Sequence, residues 1–334
     1  MLMHQGVRFD LEAQKYLGCA QDLLNGEVHD LFGNYLKYAS YVLFLVPLVA
    51  LGVPGGAIVA QLALGLIAAF AFSKWVERLS SSQAHGNIAM AILLLCYPVQ
   101  VWALALYTEH FFTSLTILFL ERITRNERLG ASTIGLGLLL LFARPVGMLF
   151  IGPAFIWRLI AERTRVCALL VGGMLLLMGA ICIPGVEHAQ LAPIAEGHVI
   201  AGVPAYAYEA SDLEGSRILD AQWYLITKVG PSEWLELTLQ RIISLFTLTR
   251  PWYSAGHNAF VSLYYVLYPL AALGLWLKRG NSVVQLTLAI SLTYTALVGL
   301  THDEWSGRFL VPLLPLIILF AVLVWPSIRS KSKG

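Results

Sequence analysis

Charge is what this chain has least of. Asp, Glu, Lys and Arg make up only 13% of its 334 residues, against 58% hydrophobic ones, and the mean hydropathy is +0.71. Too little polar surface remains to cover a water-soluble globule, so most of the chain must meet lipid. The formal net charge of +2 is small and the basic residues are dispersed, which leaves no electrostatic footprint for a nucleic-acid partner. Four cysteines and eight histidines occur without a CxxC or HExxH spacing, which removes the common zinc and dithiol motifs. Cys96 falls inside an apolar run and reads as a packing residue; Cys19 and Cys182 could meet on one face, but no spacing specifies a disulfide between them. No internal repeat or low-complexity stretch is evident, and residues 1–37 carry no secretory signal pattern.

What is present is a series of apolar runs. Irregular backbone cannot face hydrocarbon and a helix needs roughly twenty residues to cross it, so the runs predict an all-α polytopic transmembrane bundle of about nine spans. They cover residues 57–72, 88–106, 111–120, 131–143, 146–156, 166–183, 260–277, 283–300 and 309–325. Three of them, 111–120, 131–143 and 146–156, are short, and must borrow flanking residues or sit inside the bundle away from lipid. The chain then reads as one integral membrane domain, 1–334. It comprises an outer segment with juxtamembrane helices (1–56), six spans (57–183), an outer connection (184–258), three spans (259–326) and a cytoplasmic tail (327–334). Within the outer connection, Leu235, Leu239, Ile242, Ile243 and Phe246 recur at helical spacing after Pro231, which predicts an amphipathic helix ending at Arg250-Pro251.

Lys and Arg fall in alternate gaps: Lys74 and Arg78, then Arg122, Arg125 and Arg128, then Arg158, Arg163 and Arg165, then Lys278 and Arg279, then the C-terminal tail. Basic connections stay preferentially on the cytoplasmic side, so the C-terminus is expected inside and residues 1–37 outside. With no preceding span to carry that segment across, a first helix upstream of Met1 is expected. The alternative is that residues 38–51 cross, but that run is short and contains Pro47, so it reads as a juxtamembrane or re-entrant helix.

Several segments, in order, resemble the GT-C superfamily of membrane glycosyltransferases, of the protein mannosyltransferase and aminoarabinose transferase type. Arg8-Phe9-Asp10-Leu11-Glu12, followed by Tyr16, Ala20, Leu23, Leu24 and Gly26, looks like the acidic first outer loop, and Leu106-Tyr107-Thr108-Glu109 like the acidic start of the fourth span. Phe142-Ala143-Arg144-Pro145-Val146-Gly147 is similar to a Thr-Arg-Pro-Thr-Gly stretch, and Gly307-Arg308-Phe309 through Pro312 and Pro315 to a late Arg-Tyr-x-x-Pro-x-x-Pro segment. The family's first span has no counterpart here, nor has any large soluble domain. The resemblance implies a GT-C-like fold in a bacterial inner membrane and inverting transfer of a sugar from a polyprenyl-phosphate donor to a glycan, lipid or protein acceptor at the outer face. A lipid-linked saccharide translocase and an outer-face polysaccharide polymerase are the alternative readings.

Such a transfer needs a base for the acceptor hydroxyl and cations for the departing phosphate. Asp10 and Glu12 are the candidates for base, with Asp10 preferred because it starts the motif, and Glu109 is a catalytic candidate because an ionisable group at the edge of an apolar run is costly unless it serves a function. Arg144 and Arg308 suit phosphate through their guanidinium forks, Lys37 is a third cation, and His302 and Asp303 are candidates for contact with the sugar. His110, beside Glu109, reads as a hydrogen-bonding residue. Asp10 and Glu12 could also hold a divalent cation such as Mg or Mn, but two acids alone do not specify a metal.

Overall fold

The computed structural model describes residues 11–32, 35–125, 129–162, 188–207, 213 and 217–325. It is all-helical, with 78% helix and no strand among the described residues. In chain order, α1 is Leu11–Leu24, α2 Ala39–Ala50, α3 Gly56–Ser80, α4 Gln83–Leu95, α5 Thr108–Ile123, α6 Ala131–Leu141 and α7 Met148–Glu162. There follow α8 His188–Ala195, α9 Ile218–Tyr224, α10 Pro231–Phe246, α11 Ala255–Lys278, α12 Ser282–Leu300 and α13 Leu314–Val322.

Three of these are long and apolar enough to cross a membrane: α3 with 25 residues, α11 with 24 and α12 with 19. The nine-span expectation rests in addition on shorter helices and on residues 166–183, which lie outside the described residues. At roughly 1.5 Å per residue, α2 and α6 each reach less than about 20 Å, short of a hydrocarbon core of about 30 Å.

Contacts gather the chain into two compact units interleaved in sequence. Unit 1 is Met1–Ala154, Tyr264–Thr287 and Val311–Gly334; unit 2 is Phe155–Leu263 and Leu288–Leu310. In unit 1, α3 packs on both α4 and α5, α1 lies on α2, and α13 packs on α4 and on the second half of α11. The expectation that short run 111–120 could sit away from lipid has its counterpart in α5, which is buried on nearly every side. α3 instead turns Val59, Leu66, Ile67 and Phe70 outward, as a helix against lipid does. Close approach of α11 to α13 requires Gly274, because a Cβ there would lie 1.9 Å from the Phe320 carbonyl oxygen.

The run expected as a single span over 88–106 is broken. Cys96 leaves the helical conformation, and a short helix Tyr97–Gln100 begins with Pro98 in its first turn; the two parts meet at a 57° bend. Pro98 has no N–H for the carbonyl four residues back and its ring crowds that turn, which is the physical cause of the break. The Tyr264 hydroxyl bridges the gap: it accepts from the Tyr97 N–H at 3.0 Å and donates to the Leu95 carbonyl at 2.8 Å. In lipid no water can replace those bonds.

In unit 2, α8 packs on α9 around Leu191, Ile194, Ala195, Leu213 and Ala221. The amphipathic helix expected after Pro231 is α10. Its inner face is mixed, with Leu237, Leu245, Arg241 and Ser244 buried, while Leu235, Leu239 and Ile243 are at least half exposed beside the exposed Glu236 and Gln240. An exposed row of large apolar side chains fits a helix that meets lipid on its outer side.

Removing the bridging hydroxyl tests the account of the broken helix. Tyr264→Phe should lower stability by about 0.5–1.5 kcal/mol, the usual net worth of a hydrogen bond, read as a lower melting temperature in detergent and faster exchange of the Tyr97 amide. Unchanged melting and exchange would remove the bridge from the account.

Candidate functional site

In unit 1 the site is built from the start of α1, the start of α5 and the turn after α6. α1 buries Ala13, Tyr16, Cys19 and Ala20, positions three and four apart that form one helix face toward α2. The Tyr16 ring meets Tyr35, Tyr38 and Tyr41 edge-on, with centroids 6.4, 5.4 and 5.3 Å away. Tyr41 donates to Gln61 at 2.9 Å, and the Gln61 amide donates to the Ala103 and Ala105 carbonyls at 3.3 and 3.0 Å, so the tyrosine cluster is fastened to α3 and to the chain before α5.

Glu109, in the first turn of α5, is only 1% exposed, and Arg144 reaches it at 3.0 Å. The helix N-terminus favours a carboxylate there. Arg144 owes its position to Pro145: the residue before a proline is pushed out of the helical region, and Arg144 is extended at φ −158°, ψ 149°. The same turn is tied to α2 by the Ser40 N–H, which donates to the Phe142 carbonyl at 2.9 Å, and the guanidinium lies 5.9 Å from the centre of the Phe112 ring.

Tyr16 links these groups. Burial first, then the nearby Tyr38, Glu109 and Glu12, push its phenol pKa upward while Arg144 opposes them. The hydroxyl therefore stays protonated, available as a hydrogen-bond donor among carboxylates. Of the residues singled out from sequence, Glu12, Lys37, Glu109 and Arg144 thus gather in unit 1 around Tyr16. Glu12 pairs with Lys15 at 3.5 Å, and the Lys37 ammonium lies 5.7 Å from the centre of the Tyr38 ring. Asp10 lies outside the described residues.

His302, Asp303 and Arg308 belong to unit 2, where they join a polar core. The Asp303 carboxylate is fully enclosed: it accepts from Arg250 at 2.6 Å and from the Ser244 hydroxyl at 2.7 Å. Its backbone joins the chain at Val199 and Ala201. Held this way, it braces the fold and does not face outward toward a sugar. Arg308 lies 3.6 Å from Glu304, and the Glu304 carboxylate also accepts from the Ser306 N–H at 2.8 Å. The fully buried Arg241 donates to the carbonyls of His198, Ile194 and Gly299; burial lowers its pKa to about 10, so it remains a cation at neutral pH.

Sequence reasoning named Tyr16 only as part of a motif and read Arg250 only as a helix end; Gln61 and Arg241 went unremarked. A polar residue inside an apolar stretch was the available signal for Gln61, whereas nothing local marks Arg250 as the partner of a carboxylate 53 positions away. No group of three or more His, Cys, Asp or Glu side chains able to hold a metal occurs among the described residues. Compared with known proteins, the chain matches no family model, no curated protein and no solved structure.

The buried pair gives a double-mutant test. Arg144→Met or Glu109→Gln alone should cost about 3–5 kcal/mol because a buried charge loses its partner, while the double variant should recover much of the loss. Additive losses in thermal melts would mean the two side chains do not stabilise each other.

A pH test addresses unit 2. Burial is the first cause that pushes the His302 pKa below its ordinary 6.5. The folded state therefore favours the neutral ring, while the unfolded chain takes up a proton as pH falls through about 6.5, so stability should decline below that value. His302→Gln should make the fall in melting temperature between pH 7.5 and 5 shallower. An equal slope in both proteins would assign the acid sensitivity elsewhere.

Proposed function

We propose that this protein is a membrane glycosyltransferase that moves a sugar from a polyprenyl-phosphate donor to a hydroxyl of a glycan, lipid or protein acceptor, with inversion, at the outer face of a bacterial inner membrane. The observation that carries the reading is the polar cluster in unit 1. Glu109, Arg144, Tyr16 and Glu12 stand together among apolar helices, where charge is costly and a functional reason for it is the default.

In this reading a carboxylate of the α1 start, Asp10 first and Glu12 second, takes the proton of the acceptor hydroxyl. The acceptor oxygen bonds to the anomeric carbon as the bond from that carbon to the phosphate oxygen breaks, and the electron pair leaves with the phosphate. One displacement inverts the centre. The leaving phosphate needs cations, and in unit 1 Arg144 and Lys37 are the side chains assigned to it. Glu109 engages Arg144 at 3.0 Å, which suits a positioning role: it aims the guanidinium. The protonated Tyr16 hydroxyl can donate to the acceptor or to a carboxylate. No bound metal is required by this scheme.

The experiment is single-turnover transfer from a polyprenyl-phosphate sugar, with donor binding measured beside it. Asp10→Asn should slow transfer by about 10²–10⁴-fold, the usual loss of a general base, with donor affinity kept. Arg144→Ala should weaken donor binding, and Arg144→Lys should recover part of it because it keeps charge and loses the fork. Loss in Glu12→Gln with normal Asp10→Asn would move the base by two residues. Normal transfer in both, with donor affinity unchanged in the arginine variants, would end the proposal.

A further inference from the structure

α11 and α12, both long and apolar enough to cross a membrane, are joined by the three residues Arg279-Gly280-Asn281. A turn that short brings the end of α11 and the start of α12 to one membrane surface. Side chains hold it in shape. The Asn281 side-chain oxygen accepts from the Val283 and Val284 N–H groups at 2.9 and 3.3 Å, which caps α12, and the Gln285 amide donates to the Arg279 carbonyl at 2.9 Å. The hairpin carries two cations, Lys278 and Arg279, and no Asp or Glu occurs between Glu236 and Asp303 or after Glu304. No carboxylate of α11, α12 or α13 therefore offsets that charge.

Arg279 is aimed by its own helix. Its guanidinium lies 4.3 Å from the centre of the Trp276 ring, one turn back, and its Nη1 donates to the Trp276 carbonyl at 3.0 Å. The pair stays at the surface: Arg279 is exposed and Trp276 is 65% exposed. Leu273 and Leu277 are exposed beside Trp276 on the same helix, so an apolar strip runs up to the cations. A second exposed indole, Trp325, directly follows Val324, which lies against α11 at Gly274. Indoles and cations at the end of an apolar helix suit the boundary between hydrocarbon and headgroups.

We infer that the α11–α12 hairpin binds an anionic phospholipid of the leaflet it reaches, with the headgroup phosphate on Arg279 and Lys278 and the acyl chains along Leu273, Trp276 and Leu277. Place and charge together choose this occupant. The end of two spanning helices meets hydrocarbon on its apolar side and headgroups on its charged side, and two cations without a carboxylate on these helices favour a headgroup of net negative charge. Stacking on the indole holds the guanidinium plane in one orientation, and a planar fork matches two phosphate oxygens. The inference is independent of the glycosyltransfer reading, since no residue of the polar cluster around Tyr16 takes part.

The test uses the full chain in a nonionic maltoside detergent, with the melting temperature followed as short-chain phosphatidylglycerol is added; phosphatidylcholine of the same chain length serves as the control without net charge. The rise should be larger with phosphatidylglycerol. Lys278→Gln and Arg279→Gln should each weaken its apparent affinity about fivefold, the worth of one basic residue beside an anionic leaflet, and Arg279→Lys should keep part of what Arg279→Gln loses. Lys228→Gln removes an exposed cation of unit 2 and should leave the affinity unchanged. Each shift is measured against that variant's own unliganded melting temperature, so a loss of basal stability does not mimic a loss of binding. Equal rises with the two lipids, an excess undiminished in both hairpin variants, or an equal loss in Lys228→Gln would overturn the inference. So would a dimer, seen by sedimentation in the same detergent, that Arg279→Gln dissociates, because a second copy would then occupy the hairpin.

Discussion

In apolar surroundings every backbone N–H and C=O must find its partner inside the chain, and this requirement shapes the protein from the longest helix to the smallest turn. It makes the chain all-helical. It also explains why the helix broken at Cys96 before Pro98 is mended by a side chain: the Tyr264 hydroxyl meets both the Leu95 carbonyl and the Tyr97 N–H. Gln61 does the same for the carbonyls of Ala103 and Ala105, which lie in the irregular chain before α5. Arg241 takes three more carbonyls in unit 2. Polar side chains in this protein serve first as substitutes for water.

The same low-dielectric surroundings govern charge. Interior carboxylates meet arginine: Glu109 meets Arg144, Asp303 meets Arg250, and Glu121 meets both Arg78 and Arg125. Arginine suits these places because its fork satisfies several acceptors while its charge offsets a neighbour's. The three pairings differ in what surrounds them. Asp303 is closed in by Arg250, Ser244 and the backbone, which makes a brace; Glu109 sits beside a protonated tyrosine, which suits a ligand, and Glu121 holds the guanidinium groups of Arg78 and Arg125. The sorting depends on access and not on residue type.

Some of this was legible in the sequence. Apolar runs predicted α3, the long α11 and α12, and the amphipathic repeat after Pro231 predicted α10, because helical periodicity is local and needs no knowledge of partners. The motif order brought Glu12, Tyr16, Glu109 and Arg144 into one list, and Pro145 explains from sequence alone why Arg144 is extended. The break at Cys96 was written in Pro98 but was read through as one span, because hydropathy averages over a single proline. For α10 the sequence left two readings, a helix on the lipid surface or one packed against the bundle, because a two-sided pattern does not say which side the protein buries; Leu235, Leu239 and Ile243 are exposed, while Leu237, Arg241, Ser244 and Leu245 are buried.

Composition and the apolar runs by themselves pointed to helices and to lipid as a solvent, and three helices are long and apolar enough to cross a membrane. Tertiary structure alone decided which charges meet. Glu109 and Arg144 are 35 positions apart, and Arg250 and Asp303 are 53 apart; ion pairs at such separations depend on how helices pack, and packing is a property of all the contacts at once. That is why Asp303, read from sequence as a contact for sugar, lies enclosed by Arg250 and Ser244, and why no local pattern marks Arg78 as a partner of Glu121, whereas the spacing of Glu121 and Arg125, four apart, was open to sequence.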